Sequence, residues 1–237
     1  VESGALHEQN GSWLGWEAEL PGLPRSIRDA VTVRVNRLGA VARTVANLAA
    51  VIGTRTSHDA LVAVSGLTES DVLAALDELR AQSVLSEAVQ SDGEITYEFA
   101  HPLVRDVLYG ELGIARGRLL HATVAEALET LYGADAAAHA DELAYHFARA
   151  ETRGLASKAV RYLAAAGRDA LARYANREAA NYLASALEHL DRAGSLDAPP
   201  VDPDALVEDL ALARQRLGDY DAANALWTRA RTAAERG

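Results

Sequence analysis

The 237-residue chain contains no cysteine and no methionine, and a single lysine, Lys158, among its 23 basic residues. Without cysteine there is no disulfide framework and no thiolate-ligated zinc or iron–sulfur site. Without methionine there is no initiator, so a processed or excised piece of a longer chain is expected. The one lysine sits in Gly154-Leu155-Ala156-Ser157-Lys158-Ala159, which is no phosphate-cradling loop, so a complete P-loop is excluded. No Gly-x-Ser-x-Gly elbow occurs either, and the seven histidines form no convincing acid–base pair. The segment is therefore not read as an enzyme, and no cofactor is expected within it. No apolar run reaches the length of a membrane-spanning helix. Val1-Glu2-Ser3-Gly4 opens without the basic and apolar regions of a signal peptide, so a cytoplasmic location away from membranes is expected.

What the chain does have is alanine, 50 residues of it, and a net charge of −11. The low isoelectric point argues against general affinity for nucleic acid or anionic membranes. Glycine and proline divide the chain into three stretches. Residues 1–23 carry Trp13, Trp16 and a Gly11 turn. They are too short to fold alone and read as the trailing edge of a preceding domain or a small hairpin.

Residues 24–112 form the second stretch. After Pro24, the spacing of Ile27, Val31, Val35 and Leu38 predicts a helix. Val41, Val45, Leu48 and Ile52 predict another that stops at Gly53. A short helix fits Asp59–Val64. Thr68 then caps a helix to Gln82, with Asp71 in a box-like position and Val72, Leu76 and Leu79 as its apolar stripe. The period then changes. Val84–Val89 is compatible with a strand, 91–93 is a turn signal, and Ile95, Tyr97 and Phe99 alternate onto one face of a second strand. Helices followed by a hairpin outline a winged-helix domain. Its presumptive recognition helix sets Glu69, Asp71, Asp77 and Glu78 against Arg80 alone, so direct DNA binding by this segment is not expected.

Residues 113–237 read as helical throughout, with the Pro-rich segment 199–203 as a plain loop. Leu163, Gly167, Ala179, Leu183 and Ala186 share a spacing with Val207, Ala211, Ala223, Trp227 and Ala230, which suggests a tetratricopeptide-like repeat. A weaker helix pair covers 115–150. The fold class expected is thus mainly α: a winged-helix domain with a small β-hairpin, then an α–α helical-repeat arm. A groove on that arm, lined by Tyr162, Tyr174 and Tyr182, could take an effector protein, a peptide or a small molecule. His139, Glu142 and His146 fall on one helical face at a spacing compatible with metal ligation. Leu143 and Phe147 share that face, so helix packing is the reading adopted and no metal is expected.

The most informative segment is Phe99–Tyr109. His101 stands at a strand-to-helix junction with Pro102 in the first turn and Arg105 one turn on. A histidine there can donate to an anionic oxygen at the positive end of the helix, or it can simply cap the helix beside a surface arginine. Spacing alone leaves both open. The segment resembles the winged-helix signature of the STAND class of signal-transduction ATPases. Phe99, His101, Leu103, Arg105 and Tyr109 match its bacterial form, while Ala100 and Pro102 depart from the Met-His-Asp of plant members. Leu23-Pro24, Arg37-Leu38 and Ala50–Gly53 upstream, and Leu119–Leu128 and Ala144–Phe147 downstream, resemble bacterial members too. These are LuxR-type transcription regulators or cyclases with an AAA-like ATPase core. The resemblance implies a regulatory fragment whose principal partner is its own upstream ATPase core, with ATP or ADP held by the whole protein. His101 and Arg105 would sense the nucleotide, and the winged helix would latch the resting state. A stand-alone tetratricopeptide-like adaptor and a winged-helix DNA-binding protein are the alternatives.

Overall fold

The computed structural model describes residues 8–9, 12–13, 25–91, 93–150, 153–193 and 201–234. The molecule is mainly helical and carries a small three-stranded antiparallel sheet. Near the start, β1 (Glu8–Gln9) pairs antiparallel with β2 (Ser12–Trp13). The rest of the 1–23 stretch, including Gly11 and Trp16, lies outside the described residues, as do Asp92 and 194–200.

Helix α1 (Arg25–Asn36) buries Val31 and Val35, with Leu38 just beyond it, as their spacing requires. Helix α2 (Ala40–Ile52) has its last five residues buried on every side, so it runs through the centre of the molecule. The expected stripe is adjusted at its start: Val41 is exposed and Ala42 takes the buried position. Gly39 caps α2, and its N–H donates to Glu78 Oε1 at 2.6 Å. A carboxylate from another helix thus meets one of the donors a helix N-terminus leaves unpaired.

A strand missed in the sequence follows. β3 (Arg55–Ser57) is short and shows no alternation a periodicity reading could catch. Ser57 then caps α3 (His58–Ser65) by accepting from the Ala60 N–H. Gly66 ends it at a φ of 64°, a left-handed conformation that costs glycine little. In α4 (Glu69–Ala81) the Thr68 hydroxyl accepts from the Asp71 N–H, so the expected N-cap forms, while the Asp71 carboxylate accepts from that hydroxyl at 2.6 Å. β4 (Leu85–Val89) and β5 (Ile95–Phe99) make the expected hairpin, and β3 adds to its other edge in the order β3-β5-β4.

The single buried face expected for β5 needs correction. Tyr97 is buried and Phe99 half-buried, but Ile95 is exposed and Thr96 is buried instead. β3 covers only Thr96 to Glu98, so Ile95 lies beyond it and pairs with the exposed Val89 near the hairpin tip. Thr96 tolerates burial because its hydroxyl accepts from Gln90 Nε2 at 2.8 Å.

The remaining helices are α5 (Pro102–Gly110), α6 (Ile114–Tyr132), α7 (Ala140–Ala150), α8 (Ala156–Ala172), α9 (Asn176–Ala193), α10 (Pro203–Arg216) and α11 (Tyr220–Ala234). A 3-10 stretch over Gly133–His139 joins α6 to α7. From α6 onward each helix packs on the next in chain order. The 199–203 segment is not wholly loop: Asp202 accepts from the Asp204 N–H and caps α10, with Pro203 in the first turn. Small residues let the helices approach. A Cβ added at Gly167 would lie 2.6 Å from Leu183 Cγ, so α8 and α9 meet at a contact that only glycine permits. Of the ten residues that share this spacing, Trp227 is the exposed one: it is 37% exposed, with its indole N–H on Gln215 Oε1. One continuous buried cluster runs from Val31 to Ala230, and α2 touches both α5 and α6 along it.

Candidate functional site

Helix α5 carries the functional candidates on two different sides. His101 is its N-cap, exposed, with Nδ1 accepting from the Leu103 N–H at 3.2 Å. An imidazole whose Nδ1 accepts carries its proton on Nε2, so the ring's outer edge is a donor. It stands at the positive end of a helix whose first residue, Pro102, has no N–H of its own. Arg105 lies one turn on but points inward. It is 9% exposed, and its Nε donates to the Ala50 carbonyl at 3.0 Å, near the C-terminal end of α2. Cations are favoured at helix C-termini, which is why a buried arginine is tolerated there. The structure therefore separates the two residues that sequence spacing placed together. His101 faces out, and Arg105 ties α5 to α2.

A second constellation was not read from the sequence as a unit. Tyr109 of α5, His121 of α6 and His146 of α7 form a buried chain. The Tyr109 hydroxyl lies 2.8 Å from His121 Nε2, and His121 Nδ1 lies 2.9 Å from His146 Nδ1. Both rings are all but inaccessible. Burial, reinforced by the charges of Arg149 and Arg105, pushes the His121 pKa down to about 4. Burial, then His121 and the same arginines, takes His146 down to about 3, against a smaller upward pull from the Ile52 carbonyl. Both are neutral near pH 7, so each ring holds one proton. The facing Ile52 carbonyl favours a proton on the outer nitrogen of His146. The chain then runs one way: the Tyr109 hydroxyl donates to His121 Nε2, and His121 Nδ1–H donates to His146 Nδ1. His146 Nε2–H then faces the Ile52 carbonyl at the C-terminal end of α2. The available signal for this chain was His121 itself, a polar residue on the apolar stripe of Ala125 and Leu128.

The supposed metal face is dispersed by these contacts. His146 belongs to the chain just described. Glu142 accepts from the Tyr132 hydroxyl at 2.6 Å, and His139 stacks on the Tyr132 ring at 3.8 Å. Burial and the neighbouring carboxylate together raise the Tyr132 pKa. Among the described residues no group of three or more His, Asp or Glu could hold a metal ion.

The arm's tyrosines do not make one surface. Tyr162 is a correction: it is buried, stacked on Phe147, with its hydroxyl donating to Glu129 Oε1 at 2.7 Å. Glu129 also takes Lys158 at 2.7 Å and contacts Arg161, and these partners outweigh burial and lower its pKa. Tyr182 is half-buried beside the Gly167 contact. Tyr174 is 76% exposed and carries Arg216 over its ring, so it alone of the three is displayed to solvent. The acidic groups of α4 and the hairpin are largely engaged within the fold. Glu78 caps α2, Arg80 meets Asp77 and Glu87, and Arg55 meets Glu98 at 2.5 Å.

No helix among the described residues is long and apolar enough to cross a membrane. No protein-family model matches the chain, and no solved structure matches it. It is similar to an uncharacterized protein of Rhizobium meliloti (strain 1021), 28% identical over 172 residues. That match covers 73% of this chain and only 16% of the relative, so the chain spans well under two thirds of the protein it resembles.

Proposed function

We propose that this chain is the regulatory region of a STAND-type ATP-dependent signalling or transcription regulator. In this reading residues 24–112, from α1 to α5, form a winged helix that latches the nucleotide state, and residues 113–237, with α6 to α11, form a tetratricopeptide-like arm that takes an effector or partner. The order helix, short strand, two helices and a hairpin is consistent with a winged helix. Consecutive helix packing with a small-residue crossing at Gly167 is consistent with the arm. The observation that carries the proposal is His101. Its backbone-held Nδ1 leaves Nε2–H as an outward donor at a helix N-terminus, an arrangement suited to a phosphate oxygen. Arg105 supports that helix from within and is a positioning residue rather than a phosphate ligand. Nucleotide itself would be held by an ATPase core upstream, because this chain has no P-loop. The effector's action on the arm is a population shift: it needs only to bind one latch state more tightly than the other.

The test uses the whole protein that carries this region with its ATPase core. His101→Ser keeps a capping oxygen but is too short to present a donor where Nε2–H stands. ADP affinity is expected to fall about tenfold, the worth of one charge-assisted hydrogen bond, with thermal stability unchanged. Unaltered affinity would remove the sensing role. A reading frame with no P-loop upstream would favour the second reading, a helical-repeat adaptor that binds protein through a surface including the exposed Tyr174.

A further inference from the structure

The outer edge of β4 is open. β4 ends the sheet order β3-β5-β4, and among the described residues no strand pairs with its far side. The Val84 carbonyl accepts from the Ala100 N–H, and the Gln90 N–H donates to the Glu94 carbonyl. Val84, Ser86, Ala88 and Gln90 thus bond towards β5, and the antiparallel alternation turns the N–H and C=O of Leu85, Glu87 and Val89 outward. Leu85 is buried, while Glu87 and Val89 are exposed. A cleft of about 660 Å³ runs beside this edge, bounded on its other side by Asp77, Arg80 and Ala81 of α4. Ser86 and Glu87 point their side chains to opposite faces of the strand, and both line the cleft, so it meets β4 at its edge. We infer that this cleft takes an extended peptide segment carrying a basic residue, which adds to β4 as a fourth strand.

Two kinds of contact define the segment. The first is main-chain. Outward N–H and C=O groups on a strand edge are a template for another strand, and an incoming one pairs with Glu87 and Val89 together. The second is charge. Arg80 is the one cation lining the cleft, shared between Glu87 at 3.1 Å and Asp77 at 3.5 Å. Two carboxylates against one guanidinium leave a negative charge, and Asp77 is exposed. A lysine or arginine set opposite Glu87 offsets it. Two residues along, on the same face, a β-branched side chain covers Val89, which is 71% exposed. The same charge argues against a second copy. Antiparallel pairing of two β4 edges in full overlap sets Glu87 directly opposite Glu87, which is destabilising. An acidic segment meets the same repulsion. The inference goes beyond the nucleotide reading and does not rest on it, since neither His101 nor Arg105 lines the cleft.

The probe is the peptide acetyl-Thr-Val-Thr-Lys-Thr-Val-Thr-amide, whose lysine has a valine two residues away in either direction. In the 237-residue chain labelled with 15N, its titration is expected to move the Glu87 and Val89 amide resonances along a saturable curve. The same peptide with glutamate in place of lysine is expected to bind several-fold more weakly. So is a version methylated on the main-chain nitrogen of the lysine, which keeps the charge and withdraws the ladder donor opposite the Glu87 carbonyl. Asp77→Arg, at an exposed position, should reverse the preference, so that the glutamate peptide binds the more tightly, while the melting temperature stays in place. The inference is overturned by the absence of a saturable shift at these amides, by equal binding of the lysine and glutamate peptides, or by a lysine preference that survives Asp77→Arg. Undiminished binding of the methylated peptide would also overturn it, leaving a charged patch with no added strand. So would a chain that is dimeric without peptide and already protects the Glu87 and Val89 amides from exchange, which gives the edge to a second copy.

Discussion

His121 and His146 set a pH dependence whose sign follows from their burial. In the unfolded chain each takes up a proton near the ordinary value of 6.5, whereas in the folded chain they do so only at about 4 and about 3. Below pH 6.5 the unfolded state therefore binds more protons, and stability falls as the pH falls. The loss is about 1.4 kcal/mol per histidine for each pH unit and levels off only below the folded values. Urea midpoints measured from pH 8 to pH 4.5 should drop across that window. The double variant His121→Gln, His146→Gln should start from a lower midpoint and show a flatter profile; an equally steep one would mean that other groups dominate. A second residue-level expectation concerns Gly167. The Leu183 side chain leaves no room for a methyl group, so Gly167→Ala should cost about 1–3 kcal/mol by overpacking in chemical denaturation.

At the scale of elements, capping chemistry was the most legible part of the fold. The Thr68 cap and the His101-Pro102 start lie wholly within a few neighbouring residues, so their sequence carries their structure. Thr68→Ala should accordingly destabilise by about 1 kcal/mol, read as a lower urea midpoint. Features that depend on distant partners were not legible. β3 exists because β5 offers it an edge, and nothing within Arg55–Ser57 announces that. The inward turn of Arg105 depends on a carbonyl of α2 fifty-five residues earlier. The expected groove places Tyr162 at the surface, yet Glu129 and Phe147 draw it inside. The Tyr109–His121–His146 chain joins three helices, and only the position of His121 on an apolar stripe hinted at it.

At the scale of the molecule, the continuous core and the double engagement of α2 with α5 and α6 predict one cooperative unfolding transition. Tryptophan fluorescence and far-ultraviolet circular dichroism should then report coincident urea curves; separated midpoints would show that the sheet-bearing part and the helices from α6 onward melt independently. The Glu129 cluster has a practical consequence of a different kind. Lys158 is the chain's sole lysine, and its ammonium bridges α8 to a carboxylate on α6. Side-chain amine reagents therefore have one address, at a contact between α6 and α8. The rate at which that single amine is labelled becomes a built-in gauge of how often α6 and α8 part, with no engineered probe to disturb them.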